Sequence, residues 1–354
     1  MDTKNIITQH SKEKLKVYEE YLKRYLPVMI NSPYFDNVRI IEPFAGKGVD
    51  KEGNKGSALL AKKVISSFEK DKNYKKIKLY LNDKKEEHYK SLCEYVNSNN
   101  FQANIYNKDA NEFIIDMFKY GTEKIHSFIF IDPFGYTQIN KDTYNLLFSQ
   151  YNIDILIFIP TYFIYRFLKG EETDPKYKPI AEFLNDFNIK TENAKKSEND
   201  TMFAEEIVNS IKKIINFDFV YKRQIKNENN VNSYHLFFIT KHIKGADKFL
   251  DAIYKIEKDN RDLFSYSGTI SDLDMIFENE IRNKGVLDNC ELYKLGIKLG
   301  FCSPQQQKIL RQLEKDNKIS IHELTEKKRR QNSFYVNFDN FKKNNKIIEV
   351  KYIK

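Results

Sequence analysis

Three cysteines are the whole thiol content of this 354-residue sequence, and no apolar run approaches the length of a membrane span. The cysteines are scattered and lack the paired spacing of metal sites, so we expect buried free thiols and no metal centre. Met1–Lys14 is polar and of mixed charge, unlike a signal peptide. These absences exclude disulfide-stapled and membrane-spanning proteins, and we expect a cytoplasmic one.

Core material is ample, and positive charge is concentrated at one end. Hydrophobic residues make up 41% of the chain, and its length exceeds that of one compact core. We therefore expect two domains, residues 1–262 and 263–354. The net charge is +9, and from Gln305 to Lys354 thirteen lysines and arginines stand against six acidic residues. A basic module of this kind attracts polyanions such as nucleic acid.

Apolar periodicity predicts alternating strands and helices through the first domain. The expected strands are Asn37–Glu42, Ile77–Asn82, Ala103–Asn107, Ser127–Ile131 and Ile153–Ile159. The expected helices are Thr8–Leu26, ended by Pro27 or Pro33, and Ser57–Glu69, Glu86–Val96 and Asn111–Phe118. This alternation is typical of βαβ units, so we predict an α/β fold with a parallel sheet covered by helices on both faces.

Two further β-rich runs, Phe217–Ile225 and Ser233–Thr240, are separated only by a short polar stretch. They predict an antiparallel hairpin at the end of the sheet. A parallel sheet closed in this way resembles the Rossmann-like sheet of class I methyltransferases. The polar segment Gly170–Thr201 is expected to form a mobile cover over the mouth of the sheet, and a helix at Ala246–Lys258 to close the domain.

The last part of the chain predicts two helices, Leu292–Leu299 and Pro304–Asp316, followed by a hairpin of Lys318–Leu324 and Ser333–Phe338. This order suggests a winged-helix-like module. Four basic residues would lie at the hairpin tip and contact nucleic acid: Lys327, Lys328, Arg329 and Arg330. A dimerisation or packing module is the alternative.

The strongest local motif is Glu42-Pro43-Phe44-Ala45-Gly46-Lys47-Gly48, in which a strand runs into a Gly-x-Gly turn. Glycine permits positive φ and close approach of a nucleoside-bearing cofactor at the carboxyl end of the first strand. The third glycine of dinucleotide sites is missing, and Glu42 would repel phosphate but suit the sulfonium and amine of S-adenosylmethionine. The alternative is an ordinary βα turn.

Two more acids follow strands. Asp83 ends the second strand, where a carboxylate can accept the ribose hydroxyls of a nucleoside. Asp109 follows the third strand and could accept the adenine amino group, with the Ala110 N–H left for a ring nitrogen. Each acid could instead cap a helix. Together with Glu42 they would lie at one edge of the sheet.

The fourth strand leads into Asp132-Pro133-Phe134-Gly135-Tyr136. An exocyclic amine is a poor nucleophile, and accepting its N–H bonds on the Asp132 carboxylate and the Pro133 carbonyl would favour attack on a methyl group. Phe134 and Tyr136 could stack on a flipped or unpaired base. A strand-end acid beside core aromatics is the alternative.

Several motifs together resemble the three-Cys-motif partner proteins (TcmP) over roughly residues 8–260. They are His10 with the helix Leu15–Leu26, Glu42–Gly48, Gly56-Ser57, Ile131–Tyr136 and Tyr234–Thr240. The resemblance implies a class I methyltransferase-like fold, a cofactor site that includes His10 and Ser57, and a radical-SAM-like partner protein with a three-cysteine motif.

Glu42–Gly46 also resembles the first motif of Dam-type adenine-N6 methyltransferases, and Asp132–Tyr136 their Asp-Pro-Pro-Tyr motif. Phe134 stands where the second proline would be, and Tyr136 lies one place later than the aromatic residue. The leading hypothesis is therefore an S-adenosylmethionine-dependent methyltransferase acting on an amino group of nucleic acid. The alternative is a non-catalytic or cofactor-sensing adaptor in a mobile-element or phage-defence locus. The acid cluster of a two-metal nuclease is absent from the sequence.

Overall fold

Strands and helices alternate through the first part of the chain, as the sequence predicts. The computed structural model describes residues 8–99, 102–119, 123–170, 172–226, 233–259, 270–326 and 328–353. The strands of the first part are β1 Asn37–Glu42, β2 Ile77–Asn82, β3 Asn104–Tyr106, β4 Ile125–Ile131, β5 Ile153–Ile159, β6 Val220–Lys226 and β7 Ser233–Thr240. The helices are α1 Gln9–Ile30, α2 Ser57–Ser66, α3 Glu86–Ser98, α4 Ala110–Phe118, α5 Lys141–Ser149, α6 Thr161–Leu168, α7 Lys178–Asp186, α8 Thr191–Lys195 and α9 Asp200–Ile215.

The seven strands form one sheet in the order β3-β2-β1-β4-β5-β7-β6. β1 pairs in parallel with β2 and β4, and β4 pairs in parallel with β5. β7 runs antiparallel to both β5 and β6. The strands β4 and β5 are buried along almost their whole length, as expected where helices cover both faces. The predicted α/β class is confirmed, and the predicted antiparallel hairpin forms one edge of the mostly parallel sheet.

Helix α1 covers part of one face of the sheet, and its tyrosines reach buried acids on two strands. The Tyr18 hydroxyl donates to Glu42 Oε1 on β1 at 2.5 Å, and the Tyr21 hydroxyl donates to Asp154 Oδ2 on β5 at 2.6 Å. Burial raises the pKa of both tyrosines well above 10, and the neighbouring carboxylates raise it further. Both hydroxyls therefore stay protonated and serve as donors to the acids beneath the helix.

The same helix face continues for one more turn. The Tyr25 hydroxyl is hydrogen-bonded to Nδ1 of His126 on β4 at 2.8 Å. The ring centroids of Tyr18, Tyr21 and Tyr25 lie 5.7, 4.9 and 5.6 Å from that of Phe128. The helix continues through Pro27, which was one of its two predicted ends, and ends at Ile30. Spacing of three and four residues thus fixes one side of α1 on the sheet through both apolar and polar contacts.

The segment 170–201 is not the polar cover that was expected. It contains a turn of 3₁₀ helix at Pro175–Tyr177, the helices α7 and α8 and the start of α9. Its apolar side chains Ile180, Phe183 and Phe187 are fully buried in the main core. None of its described residues lines the cavity introduced below. The lysines and asparagines occupy the outer faces of short amphipathic helices, which is why composition alone suggested a loop.

A second compact unit, His242–Lys354, follows the first unit, Met1–Lys241. Its elements are α10 Ile243–Asp259, α11 Ile270–Lys284, β8 Val286–Asp288, α12 Asn289–Lys298, α13 Ser303–Lys315, β9 Ile319–Glu323, α14 Phe338–Lys342 and β10 Ile348–Tyr352. β10 lies between β8 and β9 and is antiparallel to both. The helix predicted to close the sheet domain, α10, lies in this second unit. The predicted boundary after residue 262 falls on residues 260–269, outside the described part of the chain.

The predicted C-terminal hairpin is wrong in its second strand. β9 pairs with β10, whereas 333–338 contains no strand. Phe334 and Val336 are fully buried. The alternation of apolar and polar residues here therefore reflects side-chain packing and not the hydrogen bonding of a β-strand. The Asn337 side chain then accepts the Asn340 N–H and caps α14.

Within the described residues, no helix is long and apolar enough to cross a membrane.

We expect Tyr21→Phe to lower the free energy of unfolding by about 1–3 kcal/mol. The substitution keeps the ring and leaves the buried Asp154 carboxylate without this donor. Urea unfolding followed by circular dichroism measures the change. Tyr34→Phe is the control, because the Tyr34 side chain is exposed and should unfold like the wild type. Equal loss in both variants would contradict a specific contribution from the hydroxyl of Tyr21.

Candidate functional site

A cavity of about 740 Å³ opens where β1, β4 and β5 end. Parallel strands bring these ends to one edge of the sheet, which is the usual position of ligand sites in such folds. The residues that line it are Thr8, just before α1, and Ser11, Lys14 and Leu15 of α1; Phe44–Asp50 after β1, with Gly56 and Ser57; His88 of α3; Asp132–Tyr136 after β4; and Phe158, Pro160, Phe163, Phe167 and Tyr234.

The glycine-rich loop after β1 presents backbone to this cavity. Gly46 and Gly48 have φ of +65° and +88°, a region that favours glycine. The Gly56 N–H donates to Gly48 O at 2.7 Å, and a Cβ on Gly56 would lie 3.1 Å from that oxygen. Phe44, Ala45, Gly46, Gly48 and Ser57 line the cavity as predicted, whereas Pro43 does not. The side chain of His10, added by the family resemblance, lies outside the described part.

Glu42 does not line the cavity, contrary to expectation. It is 1% exposed, and its two oxygens accept hydrogen bonds at 2.5 Å from Tyr18 and Ser57. Burial raises its pKa to about 7, the two hydrogen bonds lower it, and the Asp132 charge raises it. A carboxyl group held this way is only partly ionised at neutral pH. Its hydrogen bonds hold α1 through Tyr18 and the cavity wall through Ser57. It does not face the cavity as a fully charged group that could bind a cationic cofactor.

Asp83 is likewise turned away from the cavity. It is 4% exposed, and its Oδ2 accepts the Gly46 N–H at 3.0 Å while Oδ1 accepts the Lys85 N–H at 2.9 Å. His88 does line the cavity, and its Nδ1 lies 3.1 Å from Asp83 Oδ2. The carboxylate expected to take ribose hydroxyls thus fixes the glycine loop, and the imidazole of His88 occupies the lining position instead.

Asp109 behaves as the helix cap that its sequence context allowed. Its Oδ1 accepts the Asn111 N–H, and its Oδ2 accepts from Lys84 Nζ at 3.1 Å. Burial opposes a fall in its pKa, but the hydrogen bonds from Lys84 and Asn111 lower the pKa. Neither Asp109 nor Ala110 is among the cavity residues. The expectation that four acids surround one pocket is therefore wrong for Glu42, Asp83 and Asp109.

Of the four predicted acids, Asp132 lines the cavity, and it has an unexpected partner. Lys14 Nζ lies 2.7 Å from Oδ1 and 2.6 Å from Oδ2 of Asp132. The same ammonium group lies 4.4 Å from the centroid of the Phe158 ring. The side chains of Lys14 and Asp132 are 12% and 22% exposed. An ammonium between a carboxylate and an aromatic face is stabilised by both, so α1 is tied to the end of β4 at the site itself.

Of the residues after Asp132, Pro133 and Tyr136 belong to the wall of the cavity and Phe134 lies at its opening. Pro133 is buried, and Phe134 is 74% exposed at the opening, where Lys85 Nζ lies 4.8 Å from its ring centroid. Tyr136 is half-buried and meets the core residue Phe183 edge to face, with ring centroids 5.8 Å apart. Burial raises the pKa of Tyr136 above 10. All three side chains line the cavity as predicted, but only Phe134 projects freely.

Sequence reasoning missed the residues from α1, α6 and β7. Lys14 lies one helical turn before Tyr18 on the sheet-facing side of α1, so the tyrosine spacing could have indicated it. Phe163, Phe167 and Tyr234 form the far wall. The next residue, His235, is fully buried and hydrogen-bonded through Nδ1 to Thr161 Oγ1 at 2.6 Å, where α6 begins. Burial, together with the Lys222 charge, lowers the pKa of His235 to about 3, so this contact involves a neutral ring.

The predicted basic tip of the second unit is only partly available to a ligand. Lys327 lies outside the described residues. Arg329 is turned inward, with Nη2 and Nη1 donating to the Glu314 carboxylate and the guanidinium 5.2 Å from the Phe334 ring. Lys328 and Arg330 are exposed. Arg329 therefore stabilises the module, and among the described residues of the predicted tip Lys328 and Arg330 are the exposed ones.

No protein-family model and no curated protein matches this chain. Solved structures that resemble it include protein LPL1258 from Legionella pneumophila, at 12% identity and a TM-score of 0.42, covering 68% of this chain and 90% of that one. PKMT2 from Rickettsia typhi is also similar. In complex with AdoHcy it has 10% identity and a TM-score of 0.32, and without that ligand 12% and 0.32; each covers 85% of this chain and 73% of its own.

We expect Glu42→Gln to change how stability depends on pH. The pKa of Glu42 is about 7 in the folded protein and starts from 4.5, so the folded state holds this proton more tightly. The stabilisation is fully present below pH 4.5 and is lost as the pH rises through 7. Relative to E42Q, the wild type should lose about 1–3 kcal/mol over this range.

Urea unfolding of the two proteins across this pH range measures the difference, in which the titration of all other groups largely cancels. Glu94→Gln is the control, because Glu94 is exposed on α3 and should follow the wild type. Parallel stability curves for E42Q and the wild type would show that burial does not raise the pKa of Glu42.

Proposed function

We propose that this protein is an S-adenosylmethionine-dependent methyltransferase that acts on an exocyclic amino group of nucleic acid. The observation that carries the proposal is the shared cavity: the glycine loop after β1 and the Asp132-Pro133 turn after β4 line the same 740 Å³ space. Cofactor and acceptor must meet in one enclosed volume for a methyl group to pass directly between them. This cavity offers one wall for each.

The β1 side fits a nucleoside-bearing cofactor. A Cβ on Gly46 would meet nothing within 4 Å, so this part of the wall is open backbone. Ser57, held by Glu42, and His88, beside Asp83, add polar groups to the same wall. S-adenosylmethionine supplies a methyl group on a positively charged sulfur when it is bound. The glycine loop would bind the cofactor through its backbone and its shape. The buried acids Glu42 and Asp83 hold the loop and the adjacent Ser57 in place.

The β4 side fits an amine. The Asp132 carboxylate accepts N–H hydrogen bonds, and the Pro133 carbonyl is the adjacent acceptor in a stiff turn. Two such acceptors favour the pyramidal form of an exocyclic amine, whose lone pair is then free to attack. S-adenosylmethionine would supply the methyl group and keep the electron pair of its sulfur–carbon bond; Asp132 would orient the attacking amine, whose proton would pass to the carboxylate or to solvent.

Lys14 is the ion-pair partner of Asp132. Its ammonium group lies within 2.7 Å of both carboxylate oxygens. Each oxygen has two lone-pair positions, so an acceptor amine can share the carboxylate with Lys14. The ion pair also holds α1 over the cavity.

We expect Asp132→Asn to abolish most methyl transfer and to leave cofactor binding intact. An amide offers one acceptor oxygen and no charge, so the rate should fall roughly 10²–10⁴-fold. Tritium transfer from labelled S-adenosylmethionine to DNA or RNA measures activity, and calorimetry measures cofactor affinity. Asp36→Asn is the control, since Asp36 is 65% exposed. Transfer at the wild-type rate by D132N would refute the assigned role.

The Lys14–Asp132 pair also favours a second candidate, a cofactor-sensing adaptor that works with a partner protein, as the TcmP resemblance suggests. In that case both carboxylate oxygens serve only to hold α1. The two functions differ in one result. An adaptor binds S-adenosylmethionine, transfers no methyl group to nucleic acid or to co-purified protein, and keeps its biological output in D132N.

The second unit is proposed to add phosphate contacts. Lys328 and Arg330 are exposed on the segment before α14. Replacing both by alanine should reduce the slope of log affinity against log salt by about 2, as expected for two lost phosphate contacts on duplex DNA. Fluorescence anisotropy at several salt concentrations measures the slope. Lys70→Ala with Lys72→Ala removes the same charge from exposed positions of the first unit, and an equal effect there would contradict a local contact.

A further inference from the structure

Exposed phenylalanine is concentrated at this cavity. Among the described residues, Phe134, Phe163 and Phe167 are the phenylalanines with more than a third of their surface exposed, at 74%, 40% and 42%. All three line the cavity. Large aromatic rings left in water are costly unless a ligand covers them, and their grouping at one opening indicates a binding surface.

The three rings lie on two walls that are fixed independently. Phe134 follows β4, whereas Phe163 and Phe167 lie one turn apart on α6. Helix α6 is anchored by its buried residues Ile164 and Leu168. Its first residue, Thr161, is hydrogen-bonded to the buried ring of His235. The rings are thus presented by a packed scaffold rather than by a loose loop.

Cations accompany these rings. Lys85 Nζ lies 4.8 Å from the centroid of Phe134, and the Arg166 guanidinium lies 5.5 Å from that of Phe167. Lys47 lines the same cavity. Positive charges beside exposed aromatic faces match a chain that alternates flat rings with anionic groups. A purely apolar peptide would not need the cations, and a free small amine would not need rings at the rim.

We propose that the cavity takes its acceptor from an unpaired stretch of nucleic acid, with the neighbouring bases stacked on Phe134 and on the Phe163–Phe167 face of α6. This inference rests on the proposed function and specifies its substrate as single-stranded or locally opened nucleic acid. Asp132 is only 22% exposed inside the cavity, so a base held in a duplex stack cannot reach it. The exposed rings stabilise the opened strand, and Lys85 and Arg166 contact its phosphates.

The test measures fluorescence anisotropy of labelled oligonucleotides of about twelve nucleotides, single-stranded and as the matching duplex, against the full chain. The wild type should bind the single strand more tightly than the duplex. F163A/F167A should weaken single-strand binding roughly tenfold or more, because stacking on each ring is lost. F163Y/F167Y keeps the rings and should bind like the wild type. R166A should lower the salt slope by about 0.7, one phosphate contact on a single strand.

Controls separate a lost surface from a lost fold. Thermal melting should be nearly unchanged in F163A/F167A, whose substituted side chains are exposed, and Tyr34→Ala removes an exposed aromatic residue that does not line the cavity. Should F163A/F167A melt early, F163L/F167L replaces it and should also bind weakly. Equal single-strand affinity of the wild type and F163A/F167A, or a preference for duplex, overturns the proposal.

The proposed function fails in a different assay. If the wild type binds no S-adenosylmethionine by calorimetry, the methyltransferase assignment is lost whatever the oligonucleotides show. If it binds the cofactor but no oligonucleotide of either kind, the nucleic-acid surface is refuted while the cofactor site stands. A gain in S-adenosylmethionine affinity in the presence of the single strand, absent in F163A/F167A, would support both.

Discussion

Helix α1 packs on sheet residues that include buried and partly buried acids. The rest of the site depends on the hydrogen-bond donors and the cation that α1 supplies to those acids. A carboxylate removed from water must find donors or take up a proton. Tyr18 and Tyr21 supply donors to Glu42 and Asp154, and Lys14 supplies a counter-ion to Asp132. One helix face therefore provides partners for three acids, on β1, on β5 and just after β4. In doing so it becomes the roof of the cavity.

This matching explains why the acids of the sheet edge differ in role although they occupy similar positions. Glu42 is covered by hydroxyl donors, and Asp83 by the backbone N–H groups of Gly46 in the glycine loop and of Lys85. Their function is to hold a wall that is itself mostly backbone. Asp132 lies beyond their reach, partly exposed, and is balanced by a flexible ammonium group instead of a rigid hydroxyl. Of the four acids predicted to surround the pocket, Asp132 is the one whose carboxylate lines the cavity.

Much of the fold was predictable because its signals are local. The strands β1, β2 and β5 were predicted to the residue, since a β-branched or apolar run bounded by polar residues needs no long-range information. The hairpin β6–β7 followed from a short polar connection. The segment 333–338 was mistaken for a strand because alternating burial around Phe334 and Val336 arises from packing as well as from a ladder. The helices of 170–201 were missed because their polar faces dominate the composition.

The sequence by itself determined the order of elements, the glycine loop and the position of Asp132, because each is encoded within a few consecutive residues. It could not decide which acids face the cavity, since that depends on donors that arrive from distant parts of the chain. Lys14 and Asp132 are separated by 118 positions, and Thr161 and His235 by 74. Only the tertiary structure brings such pairs together. It thereby decided that Glu42 and Asp83 support the cavity wall while Asp109 caps a helix, and that residues of α1 and α6 complete the lining.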